Sequence, residues 1–372
     1  MHATRTLAEA DRLMTVCNSC RYCEGLCAVF PAMEMRRAFS DGDLNYLANL
    51  CHACGACYVD CQFAPPHEFN VNVPKTLAAV RADSWATYAW PRALAHLFAN
   101  NGVVIRLVTM LSLAAFIVGF AVFNDQKDLF GTHTGPGAFY ALMPHKAMAA
   151  LFGIIFLYAI LALAMGVRAF WRDIGDPADT RVSTSAILQA IRDAATLRYL
   201  DGGGVGCFNA DERPTDRRKL SHHLTFYGFL LCFAATCVAT LYHYLLGREA
   251  PYAWWDLPVV LGTLGGLGLV IGPIGLLAAR WRRDSALVEQ KNSGMDIAFV
   301  LMLLLTSLTG LALLVWRDTA AMGLLLIVHL GFVSALFITM PYGKFVHGIY
   351  RFVALVRYAQ ERRAVSGEAA EE

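Results

Sequence analysis

Charge is what this 372-residue sequence has least of. Asp, Glu, Lys and Arg make up 16% of it, against 57% hydrophobic residues, and the mean hydropathy is +0.46. One soluble domain of this length needs more polar surface, so a purely soluble architecture is excluded. The opening residues, MHATRTLAEADRLM, lack the apolar core and small-residue cleavage site of a secretory leader, and no signal peptide is expected. No C-x-x-C-H occurs, which speaks against covalently attached c-type haem. The net charge of +2 is small, and no nucleic-acid partner is expected.

Cysteine is present, and unevenly placed. Of 11 cysteines, most lie in CNSCRYCEGLC (17–27) and CHACGACYVDC (51–61), each reading C-x2-C-x2-C-x3-C. These are metal-binding spacings rather than a disulfide framework, and the segment is expected to face a reducing cytoplasm. In bacterial two-cluster ferredoxins, three thiolates of one run hold three irons of a cubane and the fourth crosses to the other cluster. That pattern assigns Cys17, Cys20, Cys23 and Cys61 to one [4Fe–4S] cluster, and Cys51, Cys54, Cys57 and Cys27 to a second. Ala28 and Gln62 stand where proline usually follows the fourth cysteine, and the gap between runs is longer than in minimal ferredoxins. Both departures alter loop geometry more than ligation. Zinc sites built from paired C-x2-C units leave no place for a fourth cysteine at x3. Cys207, Cys232 and Cys237 have no partner pattern, and the last two read as small packing residues inside a span.

Six apolar runs follow, near the ~20 residues that a helix needs to cross hydrocarbon: 103–123, 145–168, 222–246, 257–279, 296–316 and 320–340. The fold class is therefore mostly α, a two-cluster ferredoxin-like domain (1–70) followed by a six-helix, cytochrome b-like transmembrane bundle (103–350). Between them, 71–102 reads as a linker and an interfacial amphipathic helix, with Trp85, Tyr88, Trp90 and Phe98 at the membrane surface. Residues 351–372 read as a cytoplasmic tail. Glycines in LPVVLGTLGGLGLVIGPIGLL allow close helix packing. Lys and Arg set the orientation. Arg172, Arg181, Arg192, Arg198, Arg213, Arg217, Arg218 and Lys219 crowd one connection, Arg280, Arg282, Arg283 and Lys291 another, and Lys344, Arg351, Arg357, Arg362 and Arg363 the C-terminal part. The alternate connections hold Lys127, Arg248 and Arg317. This asymmetry places both termini in the cytoplasm of a multi-pass protein of the bacterial inner membrane. The spans show no acidic residues facing a substrate path and no obvious inverted repeat, so a transporter lacks support.

Histidine inside a bilayer is a functional hypothesis by default. His329 and His347 are separated by five helical turns, which on one helix puts both rings on one side about 27 Å apart. On the third span His222 and His243 differ by about 60° around the axis, His223 and His243 by about 160°. Antiparallel helices then offer His222 (or His223) with His347 at the cytoplasmic end, and His243 with His329 toward the outer side. Facing imidazoles at two levels are what one or two bis-histidine b haems require. His145 is an alternative distal ligand, or a residue near a quinone. His52, His67, His96 and His133 read as ordinary surface or loop residues.

Two patterns are similar to known families. From His329 through Pro341, Tyr342 and Lys344 to His347, H-x11-P-Y-x-K-x-V-H resembles the dihaem cytochrome b gamma subunit of respiratory nitrate reductase. The whole chain, from the cysteine runs through SHHLTFYGFLLCFAAT to MPYGKFVHG, resembles the tricarballylate utilisation protein B (CitB) family. That resemblance implies a membrane iron–sulfur and b-haem protein. Such a protein reoxidises the flavin of an FAD-dependent tricarballylate dehydrogenase and passes electrons to the quinone pool. It also implies pairing of His347 with His222 or His223, and of His329 with a histidine on the third span. The expected function is an electron-transfer component of a dehydrogenase:quinone oxidoreductase with no catalytic residue of its own. The alternatives are a quinol-oxidising anchor for a different cytoplasmic oxidoreductase and a non-enzymatic membrane redox sensor.

Overall fold

The computed structural model describes residues 2–175, 182–290 and 293–367. Arg181 and Lys291, two of the basic residues used for orientation, lie outside them. Helix α1 (Arg5–Cys20) starts at Thr4, whose hydroxyl accepts from the Leu7 amide. After α2 (Val29–Glu34), α3 (Asp41–Leu50) opens on a capping box made by Ser40 and Asp43. Short α4 (Ala56–Val59) precedes α5 (Val73–Thr87), capped by Asn72 with Pro74 in its first turn. Leu13, Met14, Leu44, Leu47, Leu77 and Trp85 fill the space between α1, α3 and α5.

Helix α5 departs from the expected interfacial helix. Trp85 is 1% exposed and donates its Nε1–H to Asn49 Oδ1 at 3.2 Å. Tyr88 and Phe98 are also buried, and Trp90 is half-buried. Trp85, Tyr88 and Phe98 fill the domain core instead of anchoring in lipid, and the polar atoms of Trp85 and Tyr88 find protein partners in Asn49 and Asn45.

Among the described residues, six helices are long and apolar enough to cross a membrane. They are α6 (Asn101–Phe123), α9 (His145–Ile174), α11 (Arg217–Leu246), α12 (Leu257–Trp281), α13 (Ser293–Trp316) and α14 (Met322–Thr339), the last extended by a 3-10 turn to Tyr342. The spans expected from hydropathy match them to within a few residues. Short α7 (Gln126–Leu129) and α8 (Ala138–Leu142) lie on the side away from the cysteine domain, and α10 (Thr184–Ala195) packs on the domain side. A two-stranded ribbon pairs β1 (Cys207–Phe208) with β2 (Pro214–Thr215). Glycine lets α11 and α12 touch backbone to backbone: a Cβ at Gly265 would lie 2.8 Å from the Cys232 amide, and one at Gly268 2.8 Å from the Leu224 carbonyl.

The sixth span does not run on to His347. Pro341 lacks the amide that would continue the ladder, and Gly343 is extended at φ −142°, ψ −167°. The Asn101 amide donates to the freed Tyr342 carbonyl, and the Tyr342 hydroxyl pairs with Tyr158 at 2.7 Å. His347 thus belongs to a separate helix, α15 (Val346–Ser366), and the one-helix spacing argument for His329 and His347 gives way.

Helix α15 is also no free tail. Val353, Ala354, Leu355, Val356 and Tyr358 join the same core as α1, α3 and α5. Arg36 ties the two regions, reaching Asp43 at 2.5 Å and Glu361 at 2.6 Å with only 11% of its side chain exposed. Burial alone would raise Asp43, but hydrogen bonds from Ser40 and Arg36 outweigh it and hold the carboxyl below its ordinary range. A depressed folded-state value gives stability that is fully present above pH 3.8 and lost as pH falls through the folded value. Arg36→Ala is expected to cost about 2 kcal/mol, because partly buried Asp43 loses its cation while Glu361 keeps only Arg357, at 2.9 Å. Thermal unfolding of the detergent-solubilised protein reads this, and Asp43→Asn should flatten the acid limb of the same curve.

Candidate iron–sulfur and haem sites

The C-terminal turns of α1 present Cys17 and Cys20, and a left-handed Arg21 (φ 56°) turns the chain toward Cys23 and Cys27. Cys51 ends α3; Ala53 (φ 49°) and Gly55 (φ 93°) then fold the backbone so that the Ala53 amide donates to Cys51 Sγ at 3.3 Å. The eight thiols form two groups. Cys17 lies among Cys23, Cys61 and Cys20, whereas Cys27 lies against Cys54 and Cys51, and Cys57 against the same three. The fourth cysteine of each run has crossed to the other group.

The first group lines a cavity of about 210 Å³, walled by Val16, Phe30 and Phe63 and bordered by Cys57. Among the described residues, no three His, Cys, Asp or Glu side chains close on one ion position. The sulfurs instead surround a space, as the corners of a cubane need. Burial, then the neighbouring cysteines, pushes Cys17 and Cys23 up to about 12, and burial pushes Cys54 up to about 11. Thiols so placed stay protonated at neutral pH unless a metal takes the proton's place.

Four guanidiniums converge on the loop of the second group. Arg81 donates to the Cys51 carbonyl at 2.5 Å and Arg351 to the same oxygen at 2.8 Å. Arg218 reaches the carbonyls of Ala53 (3.0 Å) and His52 (3.1 Å), and Arg283 that of Ala53 (2.8 Å). Burial, followed by repulsion from neighbouring arginines, pushes Arg351 down to about 9 and Arg283 to about 10. So much buried positive charge on neutral carbonyls calls for an anion, and a four-thiolate iron cluster supplies one. The residues therefore fit the group from both sides.

A lid covers this second group. In DGGGVGC (201–207), Gly202 (φ 61°) sits so close that a Cβ would lie 3.3 Å from Cys54 Sγ, and one at Gly203 (φ 82°) would strike the Leu26 carbonyl at 2.6 Å. The Phe208 amide donates to the Cys54 carbonyl at 2.9 Å. The glycine run was the signal for a close backbone approach, but sequence reasoning did not connect it to cysteines far upstream. Gly203→Val is expected to lift the lid and speed air bleaching of the brown chromophore several-fold. Its visible absorbance under air, against the parent protein, measures this.

The histidines divide by level. His222 on α11 and His347 on α15 meet edge to face, with ring centres 6.0 Å apart and planes 75° from parallel. Two imidazoles on opposite sides of one iron, each bonded at about 2.0 Å, put their ring centres about 6 Å apart. The Nδ1 of His347 is held by the Lys344 carbonyl, as a ligand ring's outer nitrogen is. His52 Nδ1, His222 Nδ1, His223 Nε2 and His243 Nδ1 are buried with no hydrogen-bond partner among the described residues. Orphaned buried nitrogens at this density point to an absent partner. The pair fits a haem. His52 departs from its reading as a surface residue: it is 8% exposed and lies within electrostatic range of His222.

At the other end, His243 stacks on His145 with ring centres 3.5 Å apart and planes 17° from parallel. Stacked rings present their nitrogens side by side, so they do not grip one iron from opposite faces. His329 packs on Gly310 and sets its Nδ1 3.2 Å from the Thr306 carbonyl. No ring contact joins it to His243 among the described residues. His67 packs between Phe63 and Phe69, His133 bonds the Asp128 carbonyl, and His96 is exposed.

Comparison with known proteins matches the chain in two parts. Residues 10–87 match the family model described as the citrate utilization protein B Fer4-like domain, and residues 97–368 match citrate utilization protein B. The first match covers both cysteine runs and extends through α5, and a Fer4-like domain with these cysteines supports iron–sulfur clusters. Citrate utilization protein B of Escherichia coli is 51% identical over 364 residues, covering 97% of this chain and 94% of that protein. No solved structure matches. A Fer4-like domain built onto membrane-spanning helices, matched along nearly the whole length, leaves one assignment: the chain belongs to the citrate utilization protein B family.

Proposed function

We propose that the chain is a membrane electron carrier. It takes electrons from a reduced FAD-dependent dehydrogenase through two [4Fe–4S] clusters and haem b, and delivers them to the quinone pool. When bound, those groups supply the one-electron chemistry that side chains lack. The observation that carries the reading is the spacing of arginines and histidines on two helices. Arg218 precedes His222 by four residues on α11, and Arg351 follows His347 by four on α15, so each arginine lies one turn from its histidine. Both arginines clamp the carbonyls of the Cys51–Ala53 loop. The histidine pair and the second cysteine group are thereby fixed to one another, with His52 between them.

The chain's own residues do three things in this scheme. Cysteines and histidines hold the redox groups, arginines balance the charge of the thiolate cage, and the spans and the 201–207 lid keep water away. The basic connections all lie on the domain side, which supports a bacterial inner-membrane protein with both termini cytoplasmic. The E. coli relative is named for citrate utilization, and a flavoprotein acting on a tricarboxylic acid, tricarballylate by the family resemblance, is the partner proposed. The test uses membranes holding the protein, with the flavoprotein captured on it. Substrate should reduce a b-type chromophore and added quinone should reoxidise it; a chromophore indifferent to both leaves the sensor reading instead.

A further inference from the structure

A second cavity, of about 440 Å³, opens where α11 begins and α12 ends, roofed by the β1–β2 ribbon. Its lining carries Arg213, Arg217, Arg218, Arg282 and Arg283 against a single acid, Asp211. Arg218 and Arg283 are spent on the neutral carbonyls of His52 and Ala53. Arg213, Arg217 and Arg282 enter no ion pair among the described residues. Neighbouring cations do: Lys219 closes on Asp201 at 2.5 Å and Arg280 on Asp296 at 3.1 Å. The deficit of negative charge is therefore local to the cavity. The N-terminus of the 30-residue α11 adds its own positive end.

The position of the cavity selects the anion. It lies at the ends of two spans, level with Trp281, which is 82% exposed at the end of α12, and beside Leu220, 61% exposed on α11. An exposed tryptophan at a span end marks the headgroup layer. Deeper on α12, Ile274 and Ile271 are 53% and 58% exposed, an apolar surface running from the cavity toward the bilayer interior. Phosphate matched to forked guanidiniums, with acyl chains continuing along that surface, satisfies both halves.

We infer that this cavity is a phosphate-binding site for the headgroup of an anionic phospholipid, held by Arg213, Arg217 and Arg282. Arg218 and Arg283 line the same cavity, so an anion held there lies beside the two side chains that reach the His52 and Ala53 carbonyls, and occupancy firms the contact between the bundle and the cysteine loop. The site needs only a membrane-spanning chain, and it stands or falls apart from the electron-carrier reading.

The experiment takes the full chain, delipidated in detergent, and adds phosphatidylglycerol, phosphatidylcholine or inorganic phosphate alone. Retained lipid is counted by native mass spectrometry and the unfolding midpoint is followed in parallel. Phosphatidylglycerol should be retained and should raise the midpoint, while phosphatidylcholine does neither. Arg282→Gln alone, at an exposed side chain, should weaken retention about tenfold with unchanged iron content, and R213Q/R217Q/R282Q should abolish it. Equal retention of both lipids, or of phosphatidylglycerol by wild type and triple variant, overturns the site. A midpoint raised by inorganic phosphate without retention of phosphatidylglycerol overturns the lipid as its occupant.

Discussion

Cys54→Ala is expected to abolish electron entry into the membrane part while leaving the haem absorbance largely intact. Cys54 sits beneath Gly202 and shares its group with Cys51, Cys57 and Cys27. Its loss leaves three thiolates in the group beside the four arginines. Iron and acid-labile sulfide should fall by roughly half, since one of two clusters is lost. The crossover makes a sharper statement. Cys27→Ala should reproduce the paramagnetic-resonance spectrum of Cys54→Ala, and Cys61→Ala that of Cys17→Ala. Spectra that instead sort by sequence run, Cys27 with Cys17 and Cys61 with Cys54, would falsify the grouping seen here.

His347→Ala is expected to remove the haem proposed between α11 and α15, and His222→Ala to do the same. Each ring is the other's counterpart across 6.0 Å, so loss of either would leave a haem held by one side chain, with at least about tenfold weaker retention. His223→Ala is the control, because the His223 ring packs toward Tyr227 rather than His347. Pyridine haemochrome content and the reduced-minus-oxidised b-band measure the result. An unchanged spectrum in His347→Ala removes this ligand. Partial return of the band on adding free imidazole separates a lost ligand from a collapsed helix.

Hydropathy and cysteine spacing were local signals, and the sequence carried them faithfully. The spans and the two C-x2-C-x2-C-x3-C runs needed only neighbours within one helix or loop. The places where reading failed are those decided by distant partners. Trp85 and Tyr88 look like membrane anchors until Asn49, Asn45 and Phe170 supply their other walls. Pro341 alone signals a kink, but the full break at Gly343 depends on Asn101 catching the Tyr342 carbonyl from another span. Likewise Arg81, Arg218, Arg283 and Arg351 are scattered along the chain, and three of them were read only as orientation charges. Nothing short of the fold shows that they meet on one loop. His52, hidden inside a cysteine motif, was masked by the chemistry of its neighbours.

The burial of α15 against α1, α3 and α5 has a consequence for biogenesis. A ribosome makes the cysteine domain first and α15 only after every span has been synthesised. Until then Arg36 has no Glu361, the Cys51 carbonyl no Arg351, and the α1–α3–α5 core no Val353 or Leu355 to close it. Closure of the cysteine domain must therefore wait until the last span has been made, and a chain stopped before α15 would leave the α1–α3–α5 core and the Cys51 loop open.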